Sequence, residues 1–287
     1  MSPPRLLVFG WGGVGAALGR RMQAEGWTVA ATVRSGGDAS PLAAVRVAAI
    51  DLASPSATAE AADAADAILV TAPPDDDGCP GLASLAQALR RRISQPWIGY
   101  LSTTGVYGDH SGRWVFEETP LAPVSAEAHR RVSAEAAWSA LAGETGASLA
   151  IFRLPGLYGP GRSALDRVRA GDARRLVKPG QVFSRLHLDD AATAIAAAIA
   201  RPRAGAIYNL CDDLPAANAD VTAWAAQLLG LPVPPEEVLD LATLSAPARR
   251  FWSENKRVSN ALAKAELGWR PAFPTYREGL GDILRRG

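Results

Sequence analysis

The glycines near the amino end carry the clearest chemical pattern in the sequence, Gly10-Trp11-Gly12-Gly13-Val14-Gly15. They follow an apolar run and open a stretch whose apolar residues have helical spacing. The first glycine can make a tight turn, the second lets the backbone approach a pyrophosphate, and the last lets the helix pack against the strand. The start of such a helix attracts phosphate. The pattern predicts dinucleotide binding, with a flexible strand-helix turn as the alternative, at Gly10, Gly12, Gly13, Val14 and Gly15.

The end of the second predicted strand bears on which dinucleotide binds. An NAD-selective site usually has an acid there, about 20 residues after the glycines. This chain has Arg34 and Ser35 instead, and an arginine can pair with the 2'-phosphate of NADP. We expect NADP, with NAD less favoured, and an exposed loop cation is the alternative interpretation of Arg34. Position alone predicts further contacts at the ends of the next two strands, from Asp51, Leu52, Thr71, Ala72 and Pro73.

The elements around these residues alternate between strands and helices. Apolar runs predict six strands, at 6–9, 28–33, 45–50, 67–71, 97–101 and 148–153. Helical spacing predicts helices at 14–25, 55–62, 82–92 and 125–142. This order predicts an α/β protein with a doubly wound parallel sheet, the Rossmann arrangement. We expect it over residues 1–154, with a smaller α+β substrate lobe over 155–287, some of whose segments return to the first domain.

Composition argues against several other classes of protein. The chain has 287 residues, 48% of them hydrophobic, which is typical of a soluble globular protein with a substantial core. Its net charge of +1 gives no basic field for a nucleic-acid duplex, so we expect no nucleic-acid partner. Cys79 and Cys211 form no CxxC pair, which argues against a disulfide framework and a zinc site.

Two apolar segments and one acidic segment bear on membranes and metals. The run from Ala191 to Ala200 has about half of the roughly 20 residues that a bilayer span needs, so it predicts a buried helix. The run from Leu6 to Phe9 is too short for a signal peptide. We therefore expect a cytoplasmic protein with no membrane partner. Asp75 to Asp77 lack the ligand spacing of a calcium loop, and we expect a solvated loop and no metal.

Four further segments occur in order after the glycines: YLSTTGVYG at 100–108, RLPGLYGPGR at 153–162, RLHLDD at 185–190 and LGWRP at 267–271. With them, nearly the whole chain resembles the extended short-chain dehydrogenase/reductase family, whose best-known members are nucleotide-sugar epimerases and dehydratases. The resemblance implies a small polar or nucleotide-linked substrate. It places the Thr103 hydroxyl over the nicotinamide and the substrate, and Arg162 at a substrate phosphate. It also likens Tyr208-Asn209-Leu210 to a short strand that precedes the last substrate-domain segment.

The resemblance breaks at the family's catalytic helix, where a tyrosine is followed four residues later by a lysine. One helical turn brings two such side chains together. This chain contains no YxxxK; alignment of the following helical residues puts Glu127 at the tyrosine position and Arg131 at the lysine position. Glu127 is a candidate general base that Arg131 keeps ionised, and an ordinary surface ion pair is the alternative. His129 is predicted to face solvent.

Other side chains remain candidates for proton transfer and substrate binding. Tyr107 and Tyr158, expected in loops at the cleft, are alternative acids, although such rings more often pack. Tyr158, Arg162 and Arg250 are expected to bind substrate, and the cation pairs 249–250 and 256–257 either receive an anionic group or form a solvated face.

Two functions are consistent with these residues. One is an NADP-dependent oxidoreductase, epimerase or dehydratase, and the other is a non-catalytic NADP sensor. The alanine-rich face of the helix at 125–142 suggests a homodimer.

Overall fold

The strands of the computed structural model, which describes residues 2–34 and 36–287, are short and mostly parallel. In chain order they are β1 (Arg5–Phe9), β2 (Thr28–Val33), β3 (Ala48–Asp51), β4 (Ala67–Val70), β5 (Trp97–Thr103), β6 (Trp114–Val115), β7 (Ser148–Leu154), β8 (Gly156–Tyr158), β9 (Arg175–Val177), β10 (Arg185–His187), β11 (Ala206–Asn209), β12 (Glu236–Val238) and β13 (Arg257–Val258).

The helices cover this sheet and build the second lobe. They are α1 (Gly13–Ala24), α2 (Ser40–Ala44), α3 (Pro55–Ala64), α4 (Pro80–Arg91), α5 (Ala126–Thr145), α6 (Ala164–Arg169), α7 (Leu188–Ala200), α8 (Asn218–Leu228), α9 (Ala246–Ser253), α10 (Ala261–Leu267) and α11 (Tyr276–Arg286), with 3-10 turns at Thr104–Tyr107 and Leu241–Thr243. Within residues 2–34 and 36–287, no helix combines the length and the apolarity that a bilayer crossing requires.

The central sheet has seven parallel strands in the order β11-β7-β5-β4-β1-β2-β3. The doubly wound α/β prediction is confirmed. The predicted count of six strands is wrong, because β11 pairs with β7 and extends the sheet. The third strand is also shorter than predicted, since α2 and the turn at Arg46, which has a positive φ of 56°, precede it.

The strands are apolar throughout because helices bury both faces of the sheet. In β1, Leu6 and Val8 pack in the core on the side of α1 and α7, whereas Leu7 and Phe9 pack in the core with α3, α4 and α5. This alternation follows from the two-residue repeat of a strand. The predicted buried helix at 191–200 is α7, which packs against α1.

The second lobe is assembled from short parallel pairs and helices. The pairs are β8 with β10, β9 with β12, and β6 with β13. A separate apolar core joins α6, α8 and α11. Since β6 precedes α5 in the chain and β13 follows α9, their pairing connects the lobe to the loop after β5.

Candidate functional site

The carboxyl ends of the parallel strands meet along one edge of the sheet. Gly10 follows β1, Thr71 follows β4, and Thr103 ends β5. The order β5-β4-β1-β2 means that the chain reverses its winding direction between β4 and β1. In doubly wound sheets ligands bind at this point, outside the carboxyl ends of the strands.

Two threonine hydroxyls fix the backbone of Gly10. The Gly10 N–H donates to Thr32 Oγ1 at 2.9 Å, and Thr71 Oγ1 donates to the Gly10 carbonyl oxygen at 2.8 Å. Gly10 has a φ of +93°, and a Cβ atom there would lie 2.9 Å from Thr71 Oγ1. Only glycine fits this turn without strain.

The next glycines divide into one that faces open space and two that allow packing. A Cβ atom on Gly12 would have no heavy atom within 4 Å. One on Gly15 would lie 2.8 Å from Val8 Cγ1, and one on Gly13 would lie 3.1 Å from the Leu188 methyl groups. Gly12 is the N-cap of α1 and provides no side-chain cap, so the first N–H groups of the helix, including that of buried Val14, are available to an anion.

A cavity of about 770 Å³ extends from this turn past the carboxyl ends of β1, β2, β3 and β4. Residues predicted to bind the cofactor line it: Gly10, Gly12, Arg34, Leu52, Thr71, Ala72 and Pro73. Asp51 does not line this cavity, and its carboxylate accepts the N–H of Ala53 at 2.8 Å. The predicted contact of Ser35 lies outside the described residues. The open face of Gly12 and this cavity fit a dinucleotide.

Several residues of this cavity were not predicted as cofactor contacts, among them Trp11, Thr32 and Asp38. Trp11 lies over Gly19 of α1, where a Cβ atom would lie 2.6 Å from the indole. Asp38 accepts the Ser40 N–H at 2.8 Å, and hydrogen bonding to Ser40 lowers the pKa of this carboxyl. Of these, Thr32 could have been predicted as a cofactor contact, because it lies near the end of the second predicted strand.

A second cavity, of about 460 Å³, contains both Thr103 and Glu127. Thr103 is half-buried, and its hydroxyl oxygen accepts the Gly105 N–H at 3.1 Å, which leaves the hydroxyl proton for a ligand. Ser125 caps α5 by accepting the Ala128 N–H at 3.1 Å. This cap places exposed Glu127 in the first turn, where the helix dipole favours a carboxylate.

Arg131 and His129 are on α5 but point away from this cavity. The Arg131 guanidinium donates to the Tyr100 hydroxyl at 3.2 Å and to the Leu101 carbonyl oxygen. These partners on β5 correct the expectation that Arg131 turns towards Glu127. His129 is exposed, as predicted, and lines the groove between α4 and α5.

Tyr107 is fully buried, which corrects its expected place at the cleft. Its hydroxyl donates to Asn209 Oδ1 at 2.8 Å and accepts from Arg153 Nη1 at 2.9 Å. Burial raises the pKa of Tyr107. Arg153 in turn pairs with Glu135, so Tyr107 belongs to a buried polar network that joins α5, β7 and β11.

A third cavity, of about 400 Å³, lies beside the second and contains Tyr158 and Arg162. Arg162 is exposed at its rim. The Tyr158 ring packs on α11: a Cβ atom on Gly279 would lie 2.0 Å from the Tyr158 hydroxyl oxygen. Burial raises the pKa of Tyr158 far above its usual value.

Two phenylalanines separate the second and third cavities. The rings of Phe183 and Phe251 stack with centroids 4.3 Å apart and planes 6° apart, and both residues line both cavities. The predicted contact of Arg250, whose neighbour is Phe251, lies outside the described side chains.

The cation pair at 256–257, for which an anion receptor and a solvated face were the alternatives, bonds to carbonyl oxygens of the chain. The Arg257 guanidinium donates to the Gly112 carbonyl oxygen, and Lys256 Nζ donates to the Gly108 carbonyl oxygen at 2.7 Å. Glu254 and Lys256 line the cavity of Thr103 and Glu127. Sequence patterns gave no signal for Glu254, because it comes from a distant part of the chain.

Comparison with known proteins identifies the family. The model of the NAD dependent epimerase/dehydratase family matches residues 6–211, which include the glycine turn, Thr103 and Glu127. The chain belongs to this family. Protein YeeZ of Escherichia coli K12 is 31% identical over 242 residues. The alignment covers 80% of this chain and 85% of YeeZ.

Solved structures agree with the family in fold. A functionally unknown conserved protein from Silicibacter pomeroyi is 43% identical, with a TM-score of 0.91 and 99% coverage of both chains. A dTDP-glucose 4,6-dehydratase from Streptomyces venezuelae, solved with NAD bound, is 21% identical, with a TM-score of 0.79 and coverage of 98% of this chain and 96% of that chain.

Membership of the NAD dependent epimerase/dehydratase family fits the cavity at the glycine turn. The cofactor class of the family is a nicotinamide dinucleotide, and Gly12 leaves open space at the start of α1 for its pyrophosphate. The protein is thus an NAD(P)-binding, epimerase/dehydratase-like member of the family. Its sequence contains no tyrosine followed four residues later by a lysine.

Proposed function

We propose that this protein is an NADP-dependent oxidoreductase, epimerase or dehydratase that acts on a small polar or nucleotide-linked substrate. The arrangement of the two cavities carries the proposal. The glycine turn after β1 and Thr103 at the end of β5 lie on the same edge of the sheet, separated by one strand, β4. A dinucleotide on the glycine turn that extends towards Thr103 places its nicotinamide beside the second cavity.

The residues at the glycine turn hold the cofactor in this proposal. The N–H groups at the start of α1 bind the pyrophosphate, and Gly10 gives the chain its turn. Arg34 lines the same cavity and pairs with a 2'-phosphate, which favours NADP. When bound, the nicotinamide supplies or accepts a hydride.

The residues of the second cavity position the reacting group. The Thr103 hydroxyl donates a hydrogen bond to the reacting oxygen, since its own oxygen already accepts the Gly105 N–H. Glu127 provides a carboxylate in the same cavity, suited to accept a proton or to hold a substrate hydroxyl. Arg131 supports this region indirectly, through its hydrogen bonds to the end of β5.

The third cavity accommodates the rest of the substrate. Arg162 lies at its rim and is suited to a phosphate or carboxylate. Arg185 also lines this cavity. Its guanidinium already donates to the carbonyl oxygens of Phe183 at 2.8 Å and Ala216 at 2.9 Å and to Asn218 Oδ1 at 3.0 Å. The stacked Phe183 and Phe251 offer a flat apolar wall to the same ligand.

The decisive experiment combines cofactor binding with turnover. Titration with NADPH and NADH, followed by the fluorescence of the reduced nicotinamide, measures binding. A panel of nucleotide sugars and small carbonyl compounds measures oxidation or reduction of the cofactor. Thr103→Val is expected to lower kcat by about 100-fold with unchanged NADPH affinity. Thr119→Val is the matched control, because Thr119 Oγ1 also accepts a backbone N–H, from Phe116, outside the cavities.

Contrary results separate the alternatives. A protein that binds neither dinucleotide at millimolar concentration contradicts the proposal. One that binds NADPH and turns over no compound of the panel favours the non-catalytic sensor. A Thr103→Val variant with full turnover contradicts the role of its hydroxyl.

We also propose that the chain forms a homodimer through α4 and α5. A groove of about 920 Å³ lies between these helices and contains small side chains, including Ala83, Ala86, Ala137 and Ala140. Such residues let helices of two copies approach closely. Light scattering coupled to size exclusion tests this, with a dimer expected for the wild type and a monomer for Ala140→Arg.

A further inference from the structure

Glu254 and Lys256 bring an ion pair from the carboxy-terminal lobe into the cavity of Thr103. Their side chains are only 16% and 10% exposed. An ion pair buried to this extent has lost much of its hydration, which costs free energy. Its position beside a ligand cavity therefore points to a functional role. The residues around it show that its position is fixed.

The segment that carries the pair is fastened to the loop between β5 and β6. The carbonyl oxygen of Asn255 accepts the N–H groups of His110 at 3.0 Å and Gly112 at 2.9 Å, and its N–H donates to Asp109 Oδ1 at 2.7 Å. Its side chain bonds to Gly180 and Val182. Because Asn255 lies between Glu254 and Lys256, these hydrogen bonds hold both side chains in place.

The ammonium group of Lys256 donates two hydrogen bonds to the described residues. Nζ donates to the Gly108 carbonyl oxygen at 2.7 Å and to Glu254 Oε2. An ammonium has three N–H donors. The two acceptors that the described residues provide leave one donor for a ligand in the cavity.

The same turn positions Lys256 and Thr103. The 3-10 turn Thr104–Tyr107 begins after Thr103 and ends at Gly108, whose N–H donates to Gly105 O at 3.1 Å. Gly108 has a φ of +69°, and a Cβ atom there would lie 2.0 Å from the Ala122 carbonyl oxygen. The path of this turn is therefore fixed, with the Thr103 hydroxyl at its start and the Lys256 ammonium at its end.

We propose that Lys256, paired with Glu254, transfers the proton to or from the reacting oxygen of the substrate. This inference rests on the proposed function. In the reducing direction the carbonyl π bond breaks, the carbon gains a hydride from the reduced nicotinamide, and the oxygen takes a proton from Lys256. The neutral amine then regains a proton from solvent through Glu254. Oxidation of an alcohol runs the same transfers in reverse.

Lys256 supplies what Glu127 lacks. An ammonium carries a proton to donate at neutral pH, whereas a carboxylate ordinarily does not. Glu127 also lies in the first turn of α5, where the helix dipole favours its ionised form. The cavity then contains a hydroxyl at Thr103 that orients the oxygen and an ammonium at Lys256 that protonates it.

The first test uses the full-length chain and the compound panel described above. Lys256→Arg keeps a cation and its hydrogen bonds but cannot release a proton at these pH values. It is expected to lower kcat by about 100-fold or more, as is Lys256→Met, with NADPH affinity within about threefold of the wild type. Lys178→Met is the matched control, because Lys178 Nζ donates to Trp252 O at 3.0 Å and lies outside this cavity.

The second test needs no turnover. The chain has only three lysines, Lys178, Lys256 and Lys264, so lysine labelled with ¹³C at Cε gives three signals, which single substitutions assign. Saturating NADP⁺ is expected to shift the Lys256 signal and leave the other two in place. If no compound of the panel reacts, this readout still tests whether Lys256 lies beside the bound cofactor, as the inference requires.

The outcomes distinguish this inference from the proposed function. A Lys256→Arg variant with wild-type kcat, or a Lys256 signal that stays in place while NADP⁺ binds, overturns the inference alone. Absence of NADPH binding by the wild type overturns the proposed function. Loss of turnover in Lys256→Arg with the native circular dichroism spectrum and NADPH affinity retained supports the inference.

Discussion

Thr71 Oγ1 donates a hydrogen bond of 2.8 Å to the carbonyl oxygen of Gly10 and thereby joins the ends of β4 and β1. These are the two strands between which the sheet changes its winding direction. A hydroxyl at this position fixes the turn without filling the space in front of Gly12. The cofactor cavity is therefore formed by the fold before any ligand enters.

Gly12→Val is expected to weaken NADPH binding by at least about tenfold and to leave the fold intact. Gly12 has an extended backbone, with a φ of −96° and a ψ of −176°, which valine adopts without strain. Its Cβ atom meets nothing within 4 Å, so the new side chain occupies only the space for a pyrophosphate. Fluorescence titration measures the affinity, and thermal unfolding is expected to change by less than about 2 °C.

Gly15→Ala is the control for this substitution. Its Cβ atom would lie 2.8 Å from Val8 Cγ1 and 3.2 Å from the Gly10 carbonyl oxygen, so it is expected to lower thermal stability. Wild-type NADPH affinity in Gly12→Val contradicts the placement of the pyrophosphate.

Arg34→Ala is expected to weaken NADPH binding by about tenfold, or about 1.4 kcal/mol, and to leave NADH binding unchanged. The guanidinium of Arg34 lies at the cofactor cavity and pairs only with the 2'-phosphate in our proposal. Parallel titrations at two salt concentrations measure the effect, which is expected to shrink at high salt. Arg20→Ala, on the exposed face of α1, is the control, and an equal loss of NADH affinity in Arg34→Ala contradicts the assignment.

Glu135→Leu is expected to lower the free energy of unfolding by about 3–5 kcal/mol. Arg153 Nη2 lies 2.7 Å from Glu135 Oε2, and the two side chains are only 4% and 7% exposed. Removal of the acid leaves the arginine charge buried without its partner. Urea unfolding measures the loss, and the double variant Glu135→Leu/Arg153→Met is expected to lose less than the sum of the single variants.

The exposed pair Arg90–Glu144 provides the comparison. Both side chains are about half exposed, so Glu144→Ala is expected to cost less than about 1 kcal/mol. Equal losses in Glu135→Leu and Glu144→Ala contradict the argument from burial.

The raised pKa of buried Asp212 predicts that the free energy of unfolding falls as pH rises. Burial raises the pKa of Asp212 to about 8, although the Arg185 guanidinium and the backbone N–H groups of Leu214 and Arg185 oppose this increase. The ordinary pKa of an aspartate is about 3.9, so between these values the folded chain binds more protons than the unfolded chain. The free energy of unfolding then falls with rising pH, by at most about 1.4 kcal/mol per pH unit.

Asp212→Asn isolates this contribution, because asparagine keeps the neutral shape and cannot ionise. Urea unfolding between pH 4.5 and pH 8.5 is expected to show a stability advantage of Asp212→Asn that grows with pH. Asp63→Asn, an exposed position on α3, is the control. A constant difference between the wild type and Asp212→Asn across this range contradicts the prediction.

Much of the candidate site followed from local patterns. The glycine spacing and the apolar runs placed the turn at Gly10 and the strand that ends at Thr103, because local backbone and packing requirements fix those residue types. The strand β11 was not recognised as part of the central sheet. Its four residues are too short to show which neighbour they pair with, and pairing with β7 depends on the path of the whole chain.

Side-chain directions were harder to predict than positions. Arg131 was expected to turn towards Glu127 because residues four apart on a helix are neighbours, but hydrogen-bond acceptors on β5 attract it. Tyr107 was expected at the cleft, but its hydroxyl is buried in the interior, where it forms hydrogen bonds with Asn209 and Arg153. In both cases the deciding partners come from elements distant in sequence.

The sequence by itself determined the parallel sheet, the glycine turn after β1 and the absence of a YxxxK pair, since each depends on residues that are close in sequence. Only the tertiary structure decided that Lys256 and Glu254 share a cavity with Thr103. The physical reason is that β13 pairs with β6 and carries them there, across about half of the chain. A contact between such distant segments depends on the packed lobe as a whole, and no local spacing encodes it.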